Sequence, residues 1–243
     1  MTTRAAFLDG VRREMAKTGG LFAATTAARP DDPEALVETI RRQLVERWPA
    51  ALAKFKEEFE RVSGIFYRVA RIDDVPSLIG RIAAERSARR VMTWAGPVLS
   101  DGLAARLRAE GLEVTEQALE GAEEAERSRF RQVAAEVEIG VTGADLAVAE
   151  TGSLVVISGR GKARSVSLLP PYHVAIFGRE ALVESLEQVG VILESLHRDP
   201  DRSMSGASIT FITGPSRTAD IELTLTRGVH GPKEVHAVFI ESL

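Results

Sequence analysis

Residues 154–197 read LVVISGRGKARSVSLLPPYHVAIFGREALVESLEQVGVILESLH and carry the pattern that decides the fold. Two β-prone runs in it, Leu154–Ser158 and His173–Phe177, contain the stretches LVVI at 154–157 and VAIF at 174–177, which are apolar at successive positions, as is typical of strands buried on both faces of a sheet. The apolar residues that follow recur at the spacing of a helix: Leu182, Leu186, Val189, Leu193 and Leu196. Strands that alternate with helices predict a mostly parallel sheet with both faces covered.

The pattern extends in both directions from this stretch. Further β-prone runs are Ile65–Val69, Val91–Trp94, Leu112–Thr115, Ile209–Ile212 and Val235–Ile240. Another helical stripe lies between the first two: Val75, Leu78, Ile79 and Ile82. We therefore predict an α/β domain over residues 64–243, with an open, mostly parallel sheet flanked by helices.

Residues 1–63 predict a helical N-terminal extension packed on that domain. Asp32 and Pro33 suit the N-cap and first position of a helix, and Pro49 predicts a kink or a break into two helices. Apolar residues then recur at four-residue spacing: Leu36, Ile40, Leu44, Trp48, Leu52, Phe55 and Phe59. This stripe is expected to pack on the main domain; a partner-binding face is the alternative.

Composition excludes several classes of function. There are 35 acidic and 31 basic residues, a net charge of -4, so nonspecific nucleic-acid binding is not expected. The chain has no cysteine, which excludes disulfides, thiolate nucleophiles and iron–sulfur ligation. Charged residues interrupt the N-terminal region, and no segment approaches about 20 apolar residues. We expect a cytoplasmic protein that spans no membrane.

A polar turn precedes the strand at residue 154. Glu150 is a candidate nucleophile or general base, and Thr151 and Gly152 are candidate ligand-binding residues. The alternative is a turn whose side chains satisfy nearby backbone donors.

A basic, Gly-rich loop follows the same strand. Arg160, Lys162 and Arg164 offer positive charge beside exposed backbone N–H groups, which suits a phosphate or a carboxylate. The spacing matches neither a Walker A loop nor a dinucleotide fingerprint, and a solvated loop is the alternative.

Two loops near the C-terminus complete the candidate site. The ligand-binding candidates there are Gly214, Ser216, Arg217 and Thr218. Asp220 and His230 are the candidate proton-transfer groups. No metal is expected, because the His, Asp and Glu residues lack the spacing of a known site. His173 and His236 lie on predicted strands and are expected to be satisfied core histidines. Since ligands in open α/β sheets bind outside the carboxyl ends of strands, we predict that these loops form one shared site.

Four motifs carry a resemblance to a known family. They are ETGSL at 150–154, LLPPYHVAI at 168–176, GPSRTADIE at 214–222 and GVHGP at 228–232. Taken in order they resemble the lactate-utilization (LUD) domain family, from about residue 65 to the end of the chain. The resemblance implies a fold similar to the sugar-phosphate isomerase and CoA-transferase-like superfamily.

The resemblance also implies a role in oxidising L-lactate to pyruvate together with cysteine-rich iron–sulfur proteins. In that role the chain would bind a small carboxylate or another anion and hold no cofactor of its own. One alternative is a stand-alone enzyme acting on a small anionic metabolite, with Glu150-Thr-Gly similar to the nucleophile turn of CoA transferases. The other is a scaffold without a ligand.

Overall fold

The computed structural model describes residues 4–17, 30–94, 99, 101–117, 124–159, 161–198, 208–219, 225–228 and 230–242. The helices are α1 (Arg4–Lys17), α2 (Pro33–Arg61), α3 (Val75–Glu85), α4 (Leu103–Ala109), α5 (Glu124–Glu136), α6 (Ser165–Leu168) and α7 (Leu186–Arg198). The strands are β1 (Ile65–Arg71), β2 (Arg90–Thr93), β3 (Glu113–Glu116), β4 (Ile139–Gly143), β5 (Leu146–Val148), β6 (Ser153–Ser158), β7 (Tyr172–Phe177), β8 (Leu182–Val183), β9 (Ser208–Ile212), β10 (Arg217–Ala219), β11 (Leu225–Arg227) and β12 (Glu234–Ser242). In these residues no helix combines the length and apolar character needed to cross a membrane.

The chain divides into two compact units, residues 1–31 and 32–243. Helix α1 belongs to the first unit, and an Asp9–Arg12 ion pair of 2.9 Å joins successive turns of it. All the other elements belong to the second unit.

A six-stranded sheet with the order β1-β12-β7-β4-β2-β3 forms the centre of the second unit. Every neighbouring pair in it is parallel, which confirms the predicted α/β class with helices beside a mostly parallel sheet. The sequence pattern does not predict β4, because Gly140 and Gly143 interrupt its apolar run. Packing requires glycine at position 140, because a Cβ there would collide with the carbonyl oxygen of Val166.

A second sheet has the order β8-β5-β6-β9. The run Leu154–Ser158 is buried between two neighbours, as predicted, but it lies in this sheet and not in the parallel one. It pairs antiparallel with both β5 and β9. The reason is the four-residue turn at 149–152, since a connection that short can join only antiparallel strands.

Helix α2 begins as predicted, with the Asp32 carboxylate accepting a hydrogen bond from the Ala35 N–H at 3.0 Å and Pro33 in the first turn. It continues through Pro49 as one helix, so the predicted alternative of two helices is wrong. Proline removes the hydrogen bond to the carbonyl four residues earlier. The carbonyl belongs to Val45. This residue is 72% exposed, so water can replace the lost donor.

The parallel sheet is buried on both faces. Helix α2 covers one face, where Phe55 meets Phe177 at 5.3 Å between ring centroids and Trp48 stacks on Phe239 at 5.8 Å. The opposite face is covered by α3 and α4, whose Ile79 and Leu107 are fully buried. Burial on both sides explains why the strands read as continuous apolar runs.

His173 and His236 lie in the core on neighbouring strands, as predicted, but they are not fully satisfied. His173 Nε2 bonds to Thr142 Oγ1 at 2.8 Å, and its Nδ1 has no partner. His236 has no hydrogen bond at either nitrogen, although Glu234 Oε2 lies 3.2 Å from Nε2. Burial lowers the pKa of His173 to about 3. Burial, followed by the nearby Arg86 charge, lowers the pKa of His236 to about 4.

These two histidines should make the fold sensitive to mild acid. In the unfolded chain both titrate near pH 6.5, so between pH 6.5 and about 4 the unfolded state binds more protons than the folded one. The free energy of unfolding should therefore fall as the pH falls, by up to about 1.4 kcal/mol per pH unit for each histidine. Urea unfolding measured at pH 7.5, 6.5, 5.5 and 5.0 tests this slope.

The matched control is the double variant His173→Gln with His236→Gln, which removes both titrating groups. Its stability should depend less on pH over the same range, whatever its absolute value. Equal slopes in the two proteins would show that the buried histidines do not set the acid sensitivity.

Candidate functional site

A cavity of about 310 Å³ lies between α6, the end of β9 and the segment that leads into β12. Its lining residues are Arg164, Ser167, Leu168, Thr210, Phe211, Ile212, Thr213, Gly214, Ser216, His230, Gly231 and Pro232. The volume is at the lower end of the range for small-molecule sites. Because residues 230–232 directly precede β12, the cavity lies beside the amino end of that strand. This position differs from the predicted one, which was at the carboxyl ends of the strands.

The structure brings four of the predicted site residues together in this cavity: Arg164, Gly214, Ser216 and His230. They come from three separate segments of the chain. Arg164 precedes α6 and is exposed. Its guanidinium is permanently charged and can pair with a carboxylate through two parallel hydrogen bonds. The lining of the cavity therefore includes a permanent cation.

Hydrogen bonds around Ser216 hold two of these segments together. Its N–H donates to the carbonyl of Pro232 at 2.9 Å, and its carbonyl accepts from the Gly228 N–H at 3.2 Å. Its Oγ accepts from the backbone N–H of His230 at 3.3 Å. Gly214 has a φ of +82°, and a Cβ there would lie 2.5 Å from the carbonyl oxygen of Val62. Only glycine fits this position, so the loop is fixed against the end of α2.

A row of hydroxyl groups leads into the cavity wall. Thr151 Oγ1 donates to Ser153 Oγ at 2.8 Å, and Ser153 Oγ lies 2.6 Å from Thr213 Oγ1. Thr151 thus lies behind the cavity wall and does not line it. Thr213 was not singled out in the sequence, and neither was Thr210, whose buried hydroxyl has no partner. For Thr213 the available signal was its position directly after a strand, next to Gly214; Thr210 lies in the middle of β9.

Glu150 lies elsewhere. Its carboxylate accepts a hydrogen bond from the Leu186 N–H at 2.9 Å, at the first residue of α7. A carboxylate at a helix N-terminus satisfies a free donor and is favoured by the helix dipole. Glu150 is not among the residues that line the cavity. The geometry agrees with the alternative in which this turn satisfies nearby backbone donors.

Gly152 serves the packing of the turn. Its φ is +62°, and a Cβ there would collide with the backbone of Glu58 and Phe59 in α2. The turn approaches the helix so closely that no side chain fits between them.

Lys162 occupies a second polar cluster at the carboxyl ends of β2 and β4. Its Nζ lies 2.9 Å from Asp145 Oδ1 and 5.4 Å from the centre of the Trp94 ring. Asp145 Oδ2 accepts from the Ile157 N–H at 2.7 Å. The neighbours of β2 in the sheet are β3 and β4, so the chain order reverses here, where open sheets often bind ligands. Lys162 Nζ and both Asp145 carboxylate oxygens already have partners, whereas the buried hydroxyl of Thr210 in the cavity has none.

The remaining predicted residues are placed in part or not at all. Arg160 and Asp220 lie outside the described residues. Arg217 and Thr218 are described only through the backbone of β10, which pairs antiparallel with β11. Whether these four contribute to the cavity stays a prediction.

The role of Gly152 leads to a test of stability. Gly152→Ala should lower the free energy of unfolding by more than about 2 kcal/mol, because a left-handed φ costs roughly 1–2 kcal/mol and the collision with α2 adds to it. Gly159→Ala is the matched control, since nothing lies within 4 Å of a Cβ there and the change should stay within about 0.5 kcal/mol. Urea denaturation measures both. Equal small effects would contradict the close packing of the turn on α2.

This chain is similar to several known proteins in sequence and in fold. The sequence profile described as "LUD domain" matches residues 52–240. A lactate utilization protein C from Halalkalibacterium halodurans is 38% identical over 172 residues, which cover 70% of this chain and 71% of that protein. A lactate utilization protein C from Exiguobacterium sp. is 42% identical over 113 residues, 46% of this chain and 48% of that protein. The crystal structure of a DUF162 family protein from Deinococcus radiodurans has a similar fold, with a TM-score of 0.54 at 18% identity, over 79% of this chain and 98% of that one.

Proposed function

Because the chain belongs to the LUD domain family, we propose that it takes part in lactate utilization, as a carboxylate-binding component of a cytoplasmic system that oxidises L-lactate to pyruvate. The observation that carries this proposal is the cavity with Arg164 at its lining and hydroxyl groups around it. The names of the relatives support the pathway. The charge and size of the cavity support the class of ligand.

The chemistry of lactate matches these groups. Lactate is a small anion with a carboxylate next to a hydroxyl-bearing carbon. The Arg164 guanidinium would bind the carboxylate by charge-assisted hydrogen bonds. His230 lines the same cavity, and its exposed imidazole would accept the proton of the substrate hydroxyl. Arg164 would therefore orient the substrate and His230 would act as a general base.

The oxidation itself needs an electron acceptor outside this chain. Conversion of lactate to pyruvate releases two electrons and two protons. With no cysteine in the sequence, the chain has no thiolates with which to hold an iron–sulfur cluster. We assign the electron transfer to cysteine-rich iron–sulfur partner proteins, with this chain binding the substrate beside them.

The alternative of a stand-alone CoA-transferase-like enzyme gains less support. It depends on Glu150 as a nucleophile, and the Glu150 carboxylate already accepts the hydrogen bond that begins α7. Exchange of CoA between carboxylates by the purified chain alone would favour this alternative over the proposal.

Arg164→Ala tests the proposed role of the cavity. The chain is co-purified with its iron–sulfur partners, and lactate-dependent dye reduction is followed with and without it. Loss of a charge-assisted hydrogen bond should raise the KM for L-lactate by at least about tenfold. Arg164→Lys should restore part of the affinity, because it keeps the charge and loses the planar pairing.

Arg42→Ala on the exposed side of α2 is the matched control, and it should leave the KM unchanged. A wild-type KM in Arg164→Ala would contradict carboxylate binding in this cavity. Dye reduction that proceeds equally without the chain would contradict the proposed function itself.

The purified chain should also be colourless and free of iron. Iron analysis and the visible spectrum of the chain expressed alone check this. Stoichiometric iron with an absorption band of a cluster would overturn the assignment of the redox centres to partner proteins.

A further inference from the structure

We propose that Thr213 binds the ligand directly, donating its hydroxyl hydrogen to a carboxylate oxygen, and that Ser153, which accepts from Thr151, fixes this direction from behind the cavity wall. The proposal rests on the carboxylate-binding function proposed above and names a further specificity residue of that site. Ser153 acts through Thr213 and is a positioning residue.

Two short distances define the hydroxyl row. Thr151 Oγ1 donates to Ser153 Oγ at 2.8 Å, and Ser153 Oγ lies 2.6 Å from Thr213 Oγ1. Ser153 is 3% exposed and belongs to the first position of β6. Both distances are in the normal range for hydroxyl pairs, so the three groups form a continuous chain of hydrogen bonds.

Each hydroxyl has one hydrogen to donate, and this sets the direction of the chain. Thr151 uses its hydrogen on Ser153. The hydrogen of Ser153 then has Thr213 Oγ1 as the acceptor that the described contacts provide. The reverse arrangement, with Thr213 donating to Ser153, would leave the Ser153 hydrogen buried without an acceptor, which costs about 1–3 kcal/mol. Thr213 therefore accepts from Ser153 and keeps its own hydrogen for the cavity.

Other groups in the cavity wall also have hydrogens left to donate. Ser216 Oγ already accepts from the His230 N–H, so its hydrogen is also left to donate. The buried hydroxyl of Thr210 has no partner within the described structure and needs one from a ligand or water. Arg164 has donors only. Among the described residues that line the cavity, none carries a carboxylate. The site thus favours a ligand rich in acceptors, such as a carboxylate, over an amine.

The test compares L-lactate with L-lactamide, which has the same size but lacks the negative charge and one acceptor oxygen. Isothermal titration measures the Kd of each for the full chain. Thr213→Val should weaken L-lactate binding about tenfold and L-lactamide binding by less, because a hydrogen bond to a charged group is the stronger one. Thr213→Ser should restore the affinity. Thr39→Val, at an exposed position on α2, is the matched control and should change neither Kd.

The positioning role has its own readout. Ser153→Ala removes the donor to Thr213 Oγ1 and leaves the Thr213 hydroxyl free to rotate, so L-lactate binding should weaken about threefold although Thr213 is present. In the double variant, Ser153→Ala should add nothing to the effect of Thr213→Val, since the two changes act through one hydrogen. Additive effects would contradict the directed chain.

The outcomes separate this inference from the function on which it rests. If wild type binds L-lactate and Thr213→Val, folded by circular dichroism, binds it equally well, the role of Thr213 is wrong and the proposed function stands. If neither wild type nor any variant binds L-lactate, pyruvate or another small carboxylate, both the inference and the proposed function fail. If binding follows the expected pattern but dye reduction does not need the chain, the inference holds and the proposed function fails.

Discussion

The packing of the C-terminal end of α2 between the two sheets is the contact on which the rest of the structure depends. Phe55 and Phe59 are fully buried in a core that takes side chains from both sheets, such as Leu154 and Phe177. The same end of the helix then sets the position of two loops. Gly152 packs against the backbone at Phe59, and Gly214 packs against the carbonyl of Val62.

These two glycine contacts explain how a small site is built beside the amino end of β12. One fixes the turn that carries Thr151 and Ser153, and the other fixes the loop that carries Thr213 and Ser216. Because both loops rest on one rigid helix, the hydroxyl groups are held at hydrogen-bonding distance without help from a ligand. Preorganised donors of this kind lose little freedom on binding, which favours affinity for a small anion.

Most of the fold was accessible from the sequence, because its signals are local. The N-cap at Asp32 and the apolar runs near residues 154, 173 and 235 depend on a residue and its neighbours along the chain. The division of the strands into two sheets depends instead on the short turn at 149–152 and on pairing between distant segments. The same limit applies to the site. Arg164, Ser216 and His230 could be singled out by residue type, but the engagement of Glu150 at α7 and of Lys162 with Asp145 depends on contacts that no local pattern contains.

A crystal structure of the chain with pyruvate or L-lactate tests the central claim most directly. We expect a carboxylate in the cavity, within hydrogen-bonding distance of the Arg164 guanidinium and of Thr213 Oγ1. Density for the ligand at the carboxyl ends of β2 and β4, beside Lys162 and Trp94, with the cavity holding only water, would contradict it.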